Sequence, residues 1–200
     1  MRSEKKPAPR GPVKRKLIIV ALAFAVLGCA SLAKAQETPI FDVYGGYDYV
    51  RYNASPKING LPPSESFNAN GISGQVEYNP IKRLGFVADF SGYALARQGL
   101  NTTYQVSYLF GPRLNLGSGR ITPFTQVLVG PVWAEDGIKF GSVIATGLTA
   151  GGGIDIRISR HIAIRPAQAE YFWTRFYDGN GDRQNNFRFG AGVVLRFGER

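Results

Sequence analysis

The stretch Asn186-Phe-Arg-Phe-Gly-Ala-Gly-Val-Val-Leu-Arg-Phe197 carries the clearest pattern in this 200-residue chain. Side chains alternate between the two faces of an extended strand, so the odd-numbered residues from Phe187 to Phe197 form one apolar face. The opposite face carries Arg188 and Arg196 among Gly and Val residues. Because a half-buried strand of a soluble sandwich alternates in the same way, this pattern predicts a strand and leaves its surroundings open.

The N-terminus has the three-part layout of a secretory signal. A basic region over residues 2–16 precedes an apolar run over 17–27. Ala33-Lys-Ala35 then supplies a small-residue cleavage motif immediately before Gln36. This order of basic, apolar and small-residue regions predicts export and cleavage after Ala35.

The predicted cleavage changes the meaning of the net charge, which is +10 for the whole chain. Residues 1–35 contain eight of the 24 Lys and Arg residues and one of the 14 Asp and Glu residues. The domain that remains, residues 36–200, therefore carries roughly +3. Since the strong basicity belongs to the targeting segment, we predict no nucleic-acid partner.

Two alternatives to cleavage after Ala35 stay open, an uncleaved inner-membrane anchor and a lipidated cysteine. The apolar run 17–33 is short for an inner-membrane anchor and contains Gly28. Cys29 follows Val26-Leu-Gly, which loosely resembles the motif that precedes a lipidated cysteine. Because Cys29 is the only cysteine, cleavage after Ala35 leaves a domain without disulfides or thiolate metal ligands.

Beyond residue 36 the sequence predicts strands and almost no helix. Alternating runs rich in Tyr, Phe, Val and Gly are separated by turn residues, which indicates an all-β fold. We predict eight strands, at residues 41–52, 71–79, 84–95, 103–116, 121–134, 144–157, 162–176 and 186–197. In the seventh strand Arg165 and Glu170 fall in opposite phases. A bulge at Pro166, which cannot donate to a β-ladder, would reset the phase, and the facing of strand 162–176 stays open.

The connections between the predicted strands alternate strictly between short and long. The short connections are 80–83, 117–120 and 158–161, and the long ones are 54–67, 96–102, 135–143 and 177–185. This alternation is typical of an outer-membrane β-barrel, which has tight periplasmic turns and longer outer loops. We therefore predict an eight-stranded antiparallel transmembrane β-barrel in the outer membrane of a Gram-negative bacterium, with both termini on the periplasmic side.

Three stretches resemble a known family. They are Phe41-Asp-Val-Tyr-Gly-Gly-Tyr-Asp-Tyr49, Arg83-Leu-Gly-Phe-Val-Ala-Asp-Phe-Ser91 and Arg160-His-Ile-Ala-Ile-Arg-Pro-Ala-Gln-Ala-Glu-Tyr171. They are similar to the small outer-membrane β-barrel proteins, whose architecture is that of the OmpA-like membrane domain. The resemblance implies a barrel surrounded by outer-membrane lipid, and no peptidoglycan-binding domain is expected within these residues. It also implies recognition by the barrel-assembly machinery, with Gly192, Leu195 and Phe197 as the predicted assembly signal.

The sequence offers little chemistry for catalysis. His161 is the only histidine and falls in a predicted periplasmic turn, so no Ser-His-acid arrangement is available near the outer surface. Asp178-Gly-Asn-Gly-Asp182 resembles the start of a Ca²⁺ loop, but Arg183 and Phe189 occupy the positions that require Gly and Glu. We predict no enzyme activity, no catalytic residue, no cofactor and no metal site.

The polar face of the strands predicts a charged barrel interior. The residues expected to point inward are Glu77, Asp89, Arg113, Asp155, Arg157, Arg188 and Arg196. An eight-stranded barrel is about filled by its side chains, so these groups must pair or bind water. The sequence thus favours an internal polar network, with a narrow anion-leaning passive channel as the alternative use of the same residues.

These patterns favour a structural or surface-binding role in the cell envelope, performed by a monomer. The long connection 54–67 is the candidate contact surface for an extracellular ligand. The alternatives are a small passive channel and a soluble periplasmic ligand-binding barrel. The soluble barrel requires the opposite facing, with the apolar side chains inside.

Overall fold

The structure is a computed structural model, and it describes residues 39–53, 66–95, 103–117, 119–136, 141–176 and 183–199. The described strands are β1 (Pro39–Tyr52), β2 (Phe67–Ile81), β3 (Leu84–Leu95), β4 (Thr103–Asn115), β5 (Ile121–Asp136), β6 (Gly141–Arg157), β7 (Ile162–Phe176) and β8 (Arg183–Glu199). Each strand pairs with its neighbours in the chain, and β1 pairs antiparallel with β8, which closes the barrel. The predicted eight-stranded antiparallel barrel is confirmed.

Three strands begin three or four residues earlier than the side-chain pattern predicts. β2 begins at Phe67, β6 at Gly141 and β8 at Arg183. Polar residues such as Asn68 and Asn185 interrupt the apolar alternation at these ends. The ladder nevertheless continues, with Tyr52 opposite Phe67, because it depends on backbone hydrogen bonds rather than on side chains.

The three short turns, the beginning of β1 and the end of β8 lie at one rim, which the sequence analysis predicts to be periplasmic and which we call the periplasmic rim. The turn after β2 consists of Lys82 and Arg83. In the turn after β6, the amides of Ile158 and Ser159 both donate to the carbonyl oxygen of Ile162 at 2.9 Å. The strand ends that flank the longer connections lie at the opposite rim, which we call the outer rim.

Several predictions concern residues outside the described ranges. They are the signal segment 1–35 with its cleavage motif, Ala33, Ala35 and Gln36, and most of the candidate contact loop 54–67. Within the described ranges, no helix is long and apolar enough to cross a bilayer.

The register of β7 shifts at the position where the sequence analysis puts a bulge. Between Arg165 and Gln168 the pairing with β8 is interrupted, and Pro166 and Ala167 are both exposed on the outer wall. The extra residue resets the alternation. As a result, Arg165, Gln168 and Glu170 all point into the barrel and are buried there.

The interior contains an apolar layer as well as a polar one. The main apolar cluster comprises Val50, Tyr52, Ala69, Val87, Tyr93, Leu109, Leu128, Val132, Ala145 and Phe172. Most of these residues lie between the midpoints of their strands and the outer rim. The charged residues concentrate below them, so the charged filling predicted from the sequence occupies the middle and the periplasmic half of the lumen.

Candidate functional site

The predicted lumen residues lie inside the barrel. The buried ones are Glu77, Asp89, Arg113, Asp155, Arg188 and Arg196. Arg157 is only partly buried and lines a small cavity at the periplasmic end. The structure brings most of these side chains together around three arginines.

Arg113 on β4 is the first centre of this lumen network. Its Nη1 donates to Glu77 Oε2 at 2.6 Å, its Nη2 to Gln75 Oε1 at 2.5 Å and its Nε to Gln126 Oε1 at 2.8 Å. The guanidinium carbon also lies 4.1 Å from the centre of the Phe124 ring. Such a charged group is stable away from water because its donors are satisfied and its face is covered by an aromatic ring.

Glycine makes the contact between Glu77 and Arg113 possible. The two residues belong to β2 and β4, and β3 runs between them with Gly85 opposite Arg113. A Cβ atom at Gly85 would collide with the Glu77 carboxylate. The absence of a side chain therefore lets Glu77 reach across β3.

Arg188 on β8 is the second centre and contacts two carboxylates. Its Nε donates to Glu170 Oε2 at 2.5 Å, and Glu170 lies directly opposite it on β7. Its Nη1 donates across the lumen to Asp89 Oδ1 at 3.1 Å and to Ser91 Oγ at 3.0 Å. The same nitrogen lies 3.2 Å from the Tyr93 hydroxyl. One guanidinium thus bridges two buried carboxylates from opposite walls, and the buried Asp48 carboxylate lies 4.0 Å from its Nη1.

Arg165 is the third centre, which the sequence analysis did not assign to the network. Its Nε and Nη2 donate to the two carboxylate oxygens of Asp155 at 2.7 and 3.1 Å, a bidentate pair. Its Nη1 donates to Gln75 Oε1 at 2.7 Å and to Gln168 Oε1 at 2.8 Å. The bulge in β7 lets this side chain and that of Glu170 share the lumen face, and the register shows this directly.

Two glutamines join the three centres into one network. Gln75 Oε1 accepts from both Arg113 and Arg165, and its Nε2 donates to Asp89 Oδ2 at 2.8 Å. Gln126 Oε1 accepts from Arg113, and its Nε2 donates to Glu170 Oε1 at 2.6 Å. The sequence analysis assigned neither glutamine to the lumen network, because it selected only charged residues. Their positions on the polar faces of β2 and β5 were the available signal.

The described interior has more buried acids than buried bases. The acids are Asp42, Asp48, Glu77, Asp89, Asp155 and Glu170, and the arginines are Arg113, Arg165, Arg188 and Arg196. The sequence analysis also missed Asp42 and Asp48, although both follow the alternation of β1. This balance does not favour the anion-leaning path considered from the sequence.

A cavity of about 30 Å³ lies at the periplasmic end of the lumen, beside Asp42, Arg157 and Arg196. The Nε of Arg196 is 3.8 Å from Asp42 Oδ1, which is too long for a hydrogen bond. The volume suits one or two water molecules and excludes a larger solute. Above it, the arginine network and then the apolar cluster fill the lumen.

The family profile described as "Outer membrane protein beta-barrel domain" matches residues 20–197. The chain belongs to this outer-membrane β-barrel family. Neisserial surface protein A (NspA) has a similar structure, with a TM-score of 0.63 and 14% identity over 78% of this chain and 97% of that chain. OprG from Pseudomonas aeruginosa gives a TM-score of 0.54 and 12% identity over 82% of this chain and 98% of that chain. No curated protein matches significantly in sequence.

The outer wall of this outer-membrane barrel has the apolar surface that lipid requires. Phe86, Val127 and Val193 are each about half exposed there. Phe90, Tyr108 and Trp133 extend the surface across β3, β4 and β5 with edge-to-face ring contacts. This facing is the reverse of what the soluble ligand-binding barrel requires.

The remaining predicted residues lie where the strand pattern puts them. His161 is exposed in the turn between β6 and β7. Within the described ranges, no cluster of three or more His, Cys, Asp or Glu residues is placed to hold a metal.

The three residues of the predicted assembly signal lie on two faces of β8. Leu195 and Phe197 lie exposed on the lipid-facing wall, whereas Gly192 faces the lumen. A Cβ atom at Gly192 would collide with the carbonyl oxygen of Gly45, so this glycine permits close pairing of β8 with β1.

Proposed function

We propose that the protein is a structural barrel with a non-conducting lumen, which acts in the cell envelope through its outer surface. The observation that carries this proposal is the filling of the lumen. Arg113, Arg165 and Arg188 are each only 1% exposed and are held by carboxylates and glutamines from several walls.

A conducting path would have to disrupt this filling. Removing one partner from a buried, hydrogen-bonded ion pair costs about 3–5 kcal/mol. An ion crossing the lumen would also pass the apolar side chains of Leu109, Leu128 and Phe172, which cannot replace its water. Both barriers oppose passive conduction.

Conductance measurements test the closed lumen. Purified, folded protein is added to planar lipid bilayers, and the double variant Arg113→Ala with Glu77→Ala, which removes both members of one buried pair and is verified to be folded by a heat-dependent gel shift, serves as the widened control. We expect no stepwise openings from the native protein. Regular openings from the native protein would establish the small passive channel instead.

The outer surface is tested by complementation. A strain of the source bacterium lacking the protein is assayed for detergent sensitivity, then supplied with the native chain or with a chain in which 54–65 is replaced by a two-residue Asn-Gly turn. Rescue by both chains would support a purely structural role. Rescue by the native chain alone, with both barrels folded, would support ligand contact through the loop 54–67.

We also propose that the barrel is a monomer inserted by the barrel-assembly machinery, with Gly192, Leu195 and Phe197 as its signal. The outward positions of Leu195 and Phe197, close to the end of β8, support this proposal. Replacing Phe197 with Ser is expected to lower the amount of folded protein in outer membranes. Unchanged amounts would argue against the signal.

A further inference from the structure

A groove of about 440 Å³ lies on the outer wall, toward the outer rim, and crosses the adjacent strands β1 to β4. Its outward-facing lining includes Tyr47, Ile72, Ala94, Tyr104 and Val106. Ile72 is 72% exposed and is therefore a prominent ridge of the wall. The groove opens toward the hydrocarbon of the membrane, because these side chains belong to the lipid-facing set.

The groove exists because an outward-facing glycine interrupts a row of larger side chains. In the sheet register, Tyr47 lies opposite Ile72, Ile72 opposite Gly92, and Gly92 opposite Val106. A Cβ atom at Gly92 would meet no atom within 4 Å. The side chains of Ile72 and Val106 therefore stand on either side of a gap whose floor is the backbone at Gly92.

A cation lies above this gap on the same wall. Arg51 is exposed on the outward face of β1, four residues closer to the outer rim than Tyr47, or about 13 Å along the strand. Its Nη1 donates to Asn68 Oδ1 at 2.7 Å. Asn68 is two residues from Asn70, which lines the groove. Arginine on a lipid-facing wall places its guanidinium at headgroup level, where it binds phosphate well.

We propose that this groove binds an acyl chain of an anionic lipid of the outer leaflet, with the phosphate of that lipid at Arg51. An acyl chain in the gap regains the dispersion contacts that the missing side chain at Gly92 leaves unmade. A soluble partner does not reach a site that opens into hydrocarbon. The inference is independent of the closed lumen, since all its residues lie on the outer wall.

Native mass spectrometry of the folded barrel tests the site, with dioleoyl phosphatidic acid as the probe. The first variant is Gly92→Phe, which fills the gap. Its matched control is Gly45→Phe, because Gly45 is also outward-facing with free space around its Cβ but does not line the groove. We expect about tenfold weaker retention in Gly92→Phe and unchanged retention in Gly45→Phe.

The headgroup contact is tested separately with Arg51→Gln, whose control is Lys82→Gln at the opposite rim. We expect about tenfold weaker retention of phosphatidic acid for Arg51→Gln alone, as loss of a charged hydrogen bond predicts. Dioleoyl phosphatidylcholine should be retained less than phosphatidic acid by the native barrel. Excess inorganic phosphate should not displace phosphatidic acid, because it lacks the acyl chain.

A heat-dependent gel shift verifies that each variant is folded. If Gly92→Phe does not fold, the double variant Ile72→Ala with Val106→Ala removes both sides of the groove, and Val127→Ala on β5 is its control. Equal retention by groove and control variants would overturn the proposal, as would displacement by inorganic phosphate alone. Equal retention of phosphatidic acid and phosphatidylcholine by the native barrel would refute the preference for an anionic headgroup and the role of Arg51 in binding it.

Discussion

Replacing Arg188 with Ala is expected to destabilise the barrel more than most single substitutions. The change removes the guanidinium that binds Glu170 and Asp89, and both carboxylates remain buried from water. Loss of one partner from such a pair costs about 3–5 kcal/mol, and two carboxylates share this partner here, so we expect the upper half of that range.

The assay is urea unfolding of the barrel in lipid vesicles, followed by fluorescence of Trp133 and Trp173. Two comparisons separate the network from a general effect of mutation. Arg51→Gln changes an exposed arginine and should cost less than about 1 kcal/mol. The triple variant Arg188→Met, Glu170→Gln, Asp89→Asn removes the guanidinium and the two carboxylates hydrogen-bonded to it and should recover most of the lost stability, because only the Asp48 carboxylate is then left without its cation.

A small loss of unfolding free energy in Arg188→Ala would contradict this prediction. If Arg188→Ala lowers the free energy of unfolding by less than about 1 kcal/mol, the carboxylates find water or other partners and the network does not hold the walls together. Failure of the triple variant to recover stability would mean that the cost arises from lost packing instead of from unpaired charge.

Three further predictions use the same unfolding assay. Leu128→Ala, at a fully buried position of the apolar cluster, should cost about 2–5 kcal/mol through the cavity that it leaves, and a smaller cost would mean that the lumen collapses around it. Gly85→Val should cost about 1–3 kcal/mol because its side chain displaces the Glu77 carboxylate, and in Glu77→Ala the same change should cost less. Arg165→Lys should destabilise the barrel, since an ammonium cannot reproduce the bidentate contact with Asp155, and stability equal to that of the native protein would show that the fork geometry is unimportant.

Much of the fold follows from local rules, and it was predictable for that reason. The alternation from Phe187 to Phe197 reports one face in lipid and one in the lumen, and the spacing of the turns orients the barrel. The opposite phases of Arg165 and Glu170 along β7 indicated a bulge, and Pro166 indicated its position, because proline cannot donate to a regular ladder. The early starts of β2 and β8 escaped the same rules, because backbone pairing there carries no side-chain pattern.

The side-chain contacts inside the lumen are of two kinds: contacts between adjacent strands and contacts across the lumen. Arg188 with Glu170, and Arg113 with Gln126, are direct neighbours on adjacent strands, so the register alone brings them together. Arg188 with Asp89 and Arg165 with Gln75 cross the lumen between strands that are not neighbours. Such contacts depend on the radius and stagger of the closed sheet, which no single strand specifies.

The strands, the facing of all of them except β7 and the polar character of the interior follow from the sequence alone, because the two-residue period and the apolar surface that lipid requires act residue by residue. The folded barrel was needed to show which carboxylate each arginine binds, that Gln75 and Gln126 connect the arginines, and that most of the buried apolar side chains lie in the outer half. It also decided that Gly92 leaves a gap between Ile72 and Val106. Closing the barrel sets the distances across the lumen, because side chains on strands that are not neighbours approach one another only inside the closed sheet.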